Sequence, residues 1–209
     1  FASEEATKIR RKTAPLLETA GRIEDAAALF IEAADWGGLI RLILQAAPAL
    51  LITQGRSEVL RSWLEGIPGE VSESNPELLY WHGACLLPIN PTASRNCFQK
   101  AFDLFTMKHD RLGMLLSWSG GADVSMFEAE FKPMVKWLAY LDILQMEDFE
   151  FPTPEIESRV VMSIFNAMSF GQPDHPDIAR WEERAFKLMQ GSSDINLRVQ
   201  NGLYLLAYY

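Results

Sequence analysis

The feature that most constrains this chain is the period of its apolar residues. Hydrophobic side chains recur at spacings of three and four almost from end to end, and no stretch sustains the strict alternation of a half-buried strand. Ile23, Ala26, Ala27, Phe30 and Ala33 or Ala34 close one stripe between Gly21 and a break expected at Trp36-Gly37-Gly38. Ile9, Thr13 or Ala14 and Leu16-Leu17 form the stripe before it. A tight turn at Gly21, where a positive φ costs least, would fold the two helices into an antiparallel pair.

The same grammar repeats. Turn residues fall at Gly55, Ile67-Pro68-Gly69, Asn75-Pro76, Asn90-Pro91, His109-Asp110, Phe151-Pro152-Thr153-Pro154, Gln172 to Pro176 and Gly191-Ser192-Ser193, leaving about eleven segments of helical length. Asn75-Pro76, Asn90-Pro91-Thr92, Thr153-Pro154 and Pro176-Asp177 combine a capping side chain with proline, a helix-start signal. Pro48 and Pro133 should each mark a kink or a boundary. The fold class expected is all-α: a right-handed superhelix of antiparallel hairpins, a tetratricopeptide-like α-solenoid. Gly21, Ala26, Phe30 and Ala33 meet the small-residue and Phe spacing of that repeat, and Gly83, Ser94, Phe98 and Ala101 meet it with one residue missing between the helices.

Composition narrows the function. With 19 Lys+Arg against 28 Asp+Glu, a net charge of -9 and no basic block, these residues lack the clustered cations of a phosphate-backbone binder, so no direct nucleic-acid contact is expected. Two cysteines, Cys85 and Cys97, are too few for a disulfide scaffold, and a reducing, cytoplasmic setting follows as the expectation. The longest uncharged stretch, Leu78 to Ser94, is interrupted by Pro88, Asn90 and Pro91 and is shorter than the roughly 20 apolar residues of a membrane-spanning helix. The start at Phe1-Ala2-Ser3-Glu4 and the apolar final run from Ile195 to Tyr209 read as a window cut from a longer chain.

Chemistry-bearing clusters are sparse. His82, Cys85, Cys97 and His109 match no compact zinc spacing, and no metal site is expected. The carboxylates at Glu4-Glu5, Glu147-Asp148-Glu150 and Glu182-Glu183 have no His or Arg partner at catalytic spacing and read as solvated helix faces. Asp174 and Asp177 read as turn and cap acceptors. No GxxxxGK[ST] or GxGxxG loop cradles a phosphate, and GxSxG is absent. The segment is therefore expected to be neither an enzyme nor, by itself, a cofactor protein.

Six Trp, twelve Phe and five Tyr carry more weight than any polar cluster. Counting repeat positions from Gly83 places Tyr80, Arg111, Met114 and Trp118 at sites that line the inner surface of such a superhelix, with Glu77 and Asp110 beside them. They are the candidate ligand- or partner-binding residues. The competing reading is that they pack the core.

The run from Ala20 to Phe30, then Ala34-Asp35-Trp36, then Leu60-Arg61-Ser62-Trp63-Leu64-Glu65-Gly66-Ile67-Pro68 resembles the helical region of MalT-like, large ATP-binding LuxR-type regulators. The stretch Arg61 to Leu87 is the most specific piece, and Gln172 to Asp177 with Arg180-Trp181 is similar to segments further along such regulators. The resemblance implies a central piece of a STAND-class transcriptional regulator. Residues 1–70 would then form a helical-hairpin region following an ATPase module, and 71–209 the tetratricopeptide-like repeats. ATP would belong to the upstream module and DNA to a separate output domain. This piece would bind a small-molecule inducer or a protein partner, and a homo-oligomer is compatible with it. A scaffold for a client peptide and a spacer arm are the alternatives.

Overall fold

The computed structural model describes residues 2–128, 132–141, 149–192 and 195–209. Among them the chain is all-α, with no strand. The described residues form twelve α-helices and one π-turn: α1 (Ala2–Thr19), α2 (Ile23–Glu32), α3 (Trp36–Pro48), the π-turn (Ala49–Thr53), α4 (Ser57–Glu65), α5 (Gly69–Ser72), α6 (Pro76–Leu86), α7 (Pro91–Met107), α8 (Arg111–Glu128), α9 (Lys132–Leu138), α10 (Pro154–Gly171), α11 (Ile178–Gly191) and α12 (Ile195–Tyr208).

The chain divides into two compact units, Phe1–Leu86 and Leu87–Tyr209. The division falls beyond the boundary expected at residue 70, because α6 packs back on α3, α4 and α5. In the first unit Gly21, at φ +76°, turns α1 into α2, its amide donating to the Glu18 carbonyl while that of Arg22 reaches Leu17. The expected stripe is realised: Ala26, Ala27, Phe30 and Ala33 are buried. Ala26, Ala27 and Phe30 join Leu39, Leu42, Ile43, Leu60, Trp63 and Leu78 in one core, where each large side chain contributes about 1.5–3 kcal/mol by leaving water.

The break expected at Trp36-Gly37-Gly38 lies instead at Ala34-Asp35. Ala34 takes the left-handed φ of +49°, and Asp35 caps α3 by accepting the Gly38 amide at 3.1 Å. Gly38 belongs to the first turn of α3 because it lies under Phe30: a Cβ there would stand 2.4 Å from Phe30 Cε1. Pro48 ends α3 and the chain widens into the π-turn, as expected of a proline boundary.

The second unit repeats this corner. His109 takes φ +55° between α7 and α8, and Asp110 accepts the Gly113 amide at 2.9 Å. A Cβ on Gly113 would stand 2.2 Å from Phe105 Cδ1. Phe30, Asp35 and Gly38 thus recur as Phe105, Asp110 and Gly113, with the same backbone closure: Asp35 N–H to Phe30 O at 2.9 Å, Asp110 N–H to Phe105 O at 3.0 Å. Ser94, Phe98 and Ala101, read as repeat residues, are buried, and Phe98 stands over Gly120.

Among the described helices of this unit, α10 packs against α8, α9, α11 and α12. Its residues Ser158 and Val160 to Met168 are buried. Asn75, Asn90 and Thr153 cap their helices as the proline pairs predict, accepting from Leu78, Ala93 and Ile156. Asp177 does not: its side chain makes no cap bond, and its amide donates instead to His175 Nδ1 at 3.1 Å. Pro133 is the second residue of α9, close to its start. Glu147 and Asp148 of the expected acidic cluster lie outside the described residues.

Candidate functional site

The residues chosen for an inner surface are mostly core. Trp118 is fully buried in the second unit, and its indole N–H donates to the Trp137 carbonyl at 2.6 Å. Ser117, Ser119, Gly120, Gly121 and Ala122 surround it in sequence, and these small residues let neighbouring helices close over α8. A Cβ on Gly121 would stand 2.3 Å from Trp137 Cζ2. Met114, one turn earlier, is also buried. Repeat counting assigns both to an inner face, but α8 packs on α7 and also on α9 and α10, so no open face remains to them.

Tyr80 is buried in the first unit, edge-on to Trp81 with ring centroids 5.1 Å apart. Arg111 alone of the four is exposed, with its guanidinium carbon 5.2 Å from the Phe149 ring centroid. Three of the four therefore pack rather than present a surface. Asp110 is the α8 cap, and Glu77 is half-buried in α6.

The thiols are poor nucleophiles here. Burial pushes the Cys85 thiol up to about 12 and raises that of Cys97 as well, so neither carries much thiolate near neutrality. Among the described residues no group of three or more His, Cys, Asp and Glu side chains converges as a metal site. His82 and Cys85 belong to the first unit, Cys97 and His109 to the second.

The first unit does hold a cleft, of about 600 Å³, between the end of α1, the start of α2, the length of α3 and the π-turn. Ile23, Leu42, Ala46 and Leu50 supply apolar wall. Glu18 and Arg41 close one side as a two-bonded fork, Nη1 to Oε1 at 2.5 Å and Nη2 to Oε2 at 2.6 Å. The Arg41 hydrogen bonds hold the Glu18 carboxyl below the usual carboxylate range, and Glu18 raises Arg41 in return. Each charge neutralises the other, so the cleft offers a ligand little net charge. Gln45, Gln54 and Thr19 add carboxamide and hydroxyl groups; the Thr19 hydroxyl donates to the Pro15 carbonyl, which leaves its oxygen to accept.

The π-turn follows directly on α3 and supplies Ala49 and Leu50 to the cleft lining. Its bonds run from the Gln54 amide to the Ala49 carbonyl at 2.9 Å and from the Arg56 amide to the Leu50 carbonyl at 2.7 Å, and Gly55, at φ +64°, follows it. Such single turns recur at binding sites because they redirect side chains within an otherwise regular helix. Nothing local in the sequence marks the Glu18–Arg41 fork, whose partners come from different helices; the proline at position 48 is the one visible sign of the π-turn.

The second unit carries a groove of about 610 Å³ between α11 and α12, lined by Phe186, Met189, Leu205, Leu206 and Tyr209 with Glu182 and Glu183 along one edge. Arg184 ties α11 to α10 through Glu157 at 2.6 Å, and Asp123 of α8 accepts from Ser163 at 2.8 Å with Arg159 at 3.5 Å.

No protein family, curated protein or solved structure gives a significant match to the chain. No described helix is long and apolar enough to cross a membrane.

Proposed function

We propose that this chain is a non-catalytic sensing and protein-interaction region of a MalT-like, LuxR-type transcriptional regulator, working in the cytoplasm. It binds an inducer or partner and passes that event to ATP-binding and DNA-binding modules of the same regulator. The observation that supports this reading best is the cleft of the first unit. It combines an apolar wall, carboxamide and hydroxyl groups and a self-neutralised Glu18–Arg41 pair, which suits a neutral small molecule with polar edges. The hairpins would form the superhelix expected of such a region. A ligand that prefers one curvature of it would bias the attached modules by no more than its differential affinity.

Thermal-shift measurements against neutral sugars, nucleosides, amides and short peptides test it, since a ligand binding only the folded state raises the melting temperature. The expected result is a shift that Gln45→Trp abolishes by filling the cleft, without changing the melting temperature of the free protein. A panel with no shift removes the inducer and leaves the spacer arm. The scaffold alternative has its own support in the apolar groove of the second unit.

A further inference from the structure

The hairpin of α2 and α3 in the first unit and that of α7 and α8 in the second share one pattern at an interval of 75 residues. Phe30, Asp35 and Gly38 answer to Phe105, Asp110 and Gly113, the left-handed Ala34 to His109, and the buried Ala26 and Ala47 to Ala101 and Ala122. The same interval fixes which residues of the second unit correspond to the walls of the cleft. Gln45, Ala46 and Ala49, exposed or half-buried along it, correspond to Gly120, Gly121 and Val124, all buried in α8.

Two aromatic rings cover that face of α8. Phe98 of α7 lies against Gly120, where a Cβ would stand 2.4 Å from Phe98 Cε1, and Trp137 of α9 lies against Gly121, with a Cβ at 2.3 Å from Cζ2. The first unit has neither ring at the corresponding positions. The counterpart of Phe98 is Ile23, a shorter side chain at the start of α2, because the chain there has turned at Gly21 whereas α7 runs unbroken from Pro91 to Met107. The counterpart of Trp137 is Ser62, exposed and donating to the Val59 carbonyl. The cleft is thus the place on α3 where the same hairpin, elsewhere in the chain, holds rings.

The polar groups of the cleft narrow the kind of ring. Gln45 and Gln54 each bring a carboxamide, which donates and accepts side by side and so pairs with two adjacent edge atoms of a nucleobase. The Glu18–Arg41 fork satisfies its own charges, so an anionic group gains no unopposed cation there. A volume of about 600 Å³ is ample for a nucleoside.

Building on the reading of the cleft as the ligand site, we propose that it binds a neutral heteroaromatic ring of the nucleobase kind. The ring takes on α3 the place that Phe98 and Trp137 take on α8.

Thermal-shift and saturation-transfer NMR measurements test this, with adenosine and nicotinamide as ring compounds and glucose and acetamide as ringless controls. The ring compounds should raise the melting temperature, since they bind only the folded state, and the controls should not. The base protons of adenosine should take up saturation from the protein more strongly than its ribose protons. Ile23→Phe/Gln45→Gly, which rebuilds the contact of Phe98 with Gly120, should abolish both effects with an unchanged circular-dichroism spectrum; the base-against-ribose comparison needs no variant. Equal saturation of base and ribose, or a shift that survives in the double variant, overturns the assignment. So does silence from adenosine and nicotinamide; a shift from glucose or acetamide alone would then leave the cleft a site for ringless ligands and the sensing role intact.

Discussion

Gly113 lies directly beneath the ring of Phe105, so close that a Cβ would stand 2.2 Å from Cδ1. Gly38 bears the same relation to Phe30 at 2.4 Å, in the other unit. Both pairs sit at a helix corner where a left-handed residue is followed by a capping aspartate. The ring of one helix can then approach the backbone of the next closely, because glycine leaves no Cβ between them.

Gly38→Ala and Gly113→Ala should each cost about 1–3 kcal/mol, because the ring or the helix must shift to admit a methyl group. Gly37→Ala is the control. Its nearest neighbour would be Asp35 Oδ1 at 3.9 Å, so it should be neutral or stabilising by up to about 1 kcal/mol through helix propensity. Urea unfolding followed by circular dichroism measures all three.

These corners also hold Ala34 and His109 at positive φ, a conformation that opposes any side chain. Ala34→Gly and His109→Gly should stabilise by about 0.5–1 kcal/mol, the relief of strain exceeding the entropy that glycine adds to the unfolded chain. Gly21→Ala and Gly55→Ala, at φ +76° and +64°, should do the reverse by about 1 kcal/mol. If all four changes had the same sign, the corners would not be governed by φ.

The helical class, the buried stripe from Ala26 to Ala33 and three of the four proline-linked caps were legible in sequence, because each depends on neighbours within about one turn. Gly37-Gly38 reads as a turn signal, yet the break falls at Ala34-Asp35. What keeps Gly38 glycine is the Phe30 ring, and only packing reveals it. Repeat counting places Tyr80, Met114 and Trp118 on a helix face but does not tell whether a further layer covers that face. The Glu18–Arg41 fork and the hydrogen bond from Asn201 to Ser158 join distant segments and have no local signature. The paired Phe, Asp and Gly of residues 30–38 and 105–113 is legible in the sequence at a spacing that differs from the tetratricopeptide one.

Trp118 gives a direct check on its burial. Trp118→Ala should cost about 3–5 kcal/mol and unfold the second unit at moderate urea, whereas a surface ligand contact would leave stability unchanged. Trp118→Phe keeps most of the volume and removes the indole donor, but the Trp137 carbonyl still accepts from the Tyr140 amide at 3.0 Å, so the loss should be about 0.5–1.5 kcal/mol. Fluorescence at a wavelength selective for tryptophan would show the loss of a buried emitter in both variants.

The two units should respond to acid in opposite directions. Burial is the main cause that lowers the pKa of His82, so the folded first unit binds this proton less readily than the unfolded chain. Its contribution is complete above the ordinary histidine pKa and is lost as the pH falls through about 6.5 toward the lowered value. Asp123 in the second unit is raised, chiefly by burial, against the opposing pull of Arg159 and the Ser163 hydrogen bond. The folded state therefore holds this proton more tightly than the unfolded one. Its contribution is present below the ordinary aspartate pKa and is lost as the pH rises through the raised value. Melting curves of His82→Gln and Asp123→Asn against the parent, taken from pH 8 down to about pH 4, should remove an acid-side loss in the first case and an acid-side gain in the second. Parallel slopes in the parent and both variants would show that neither group is linked to folding.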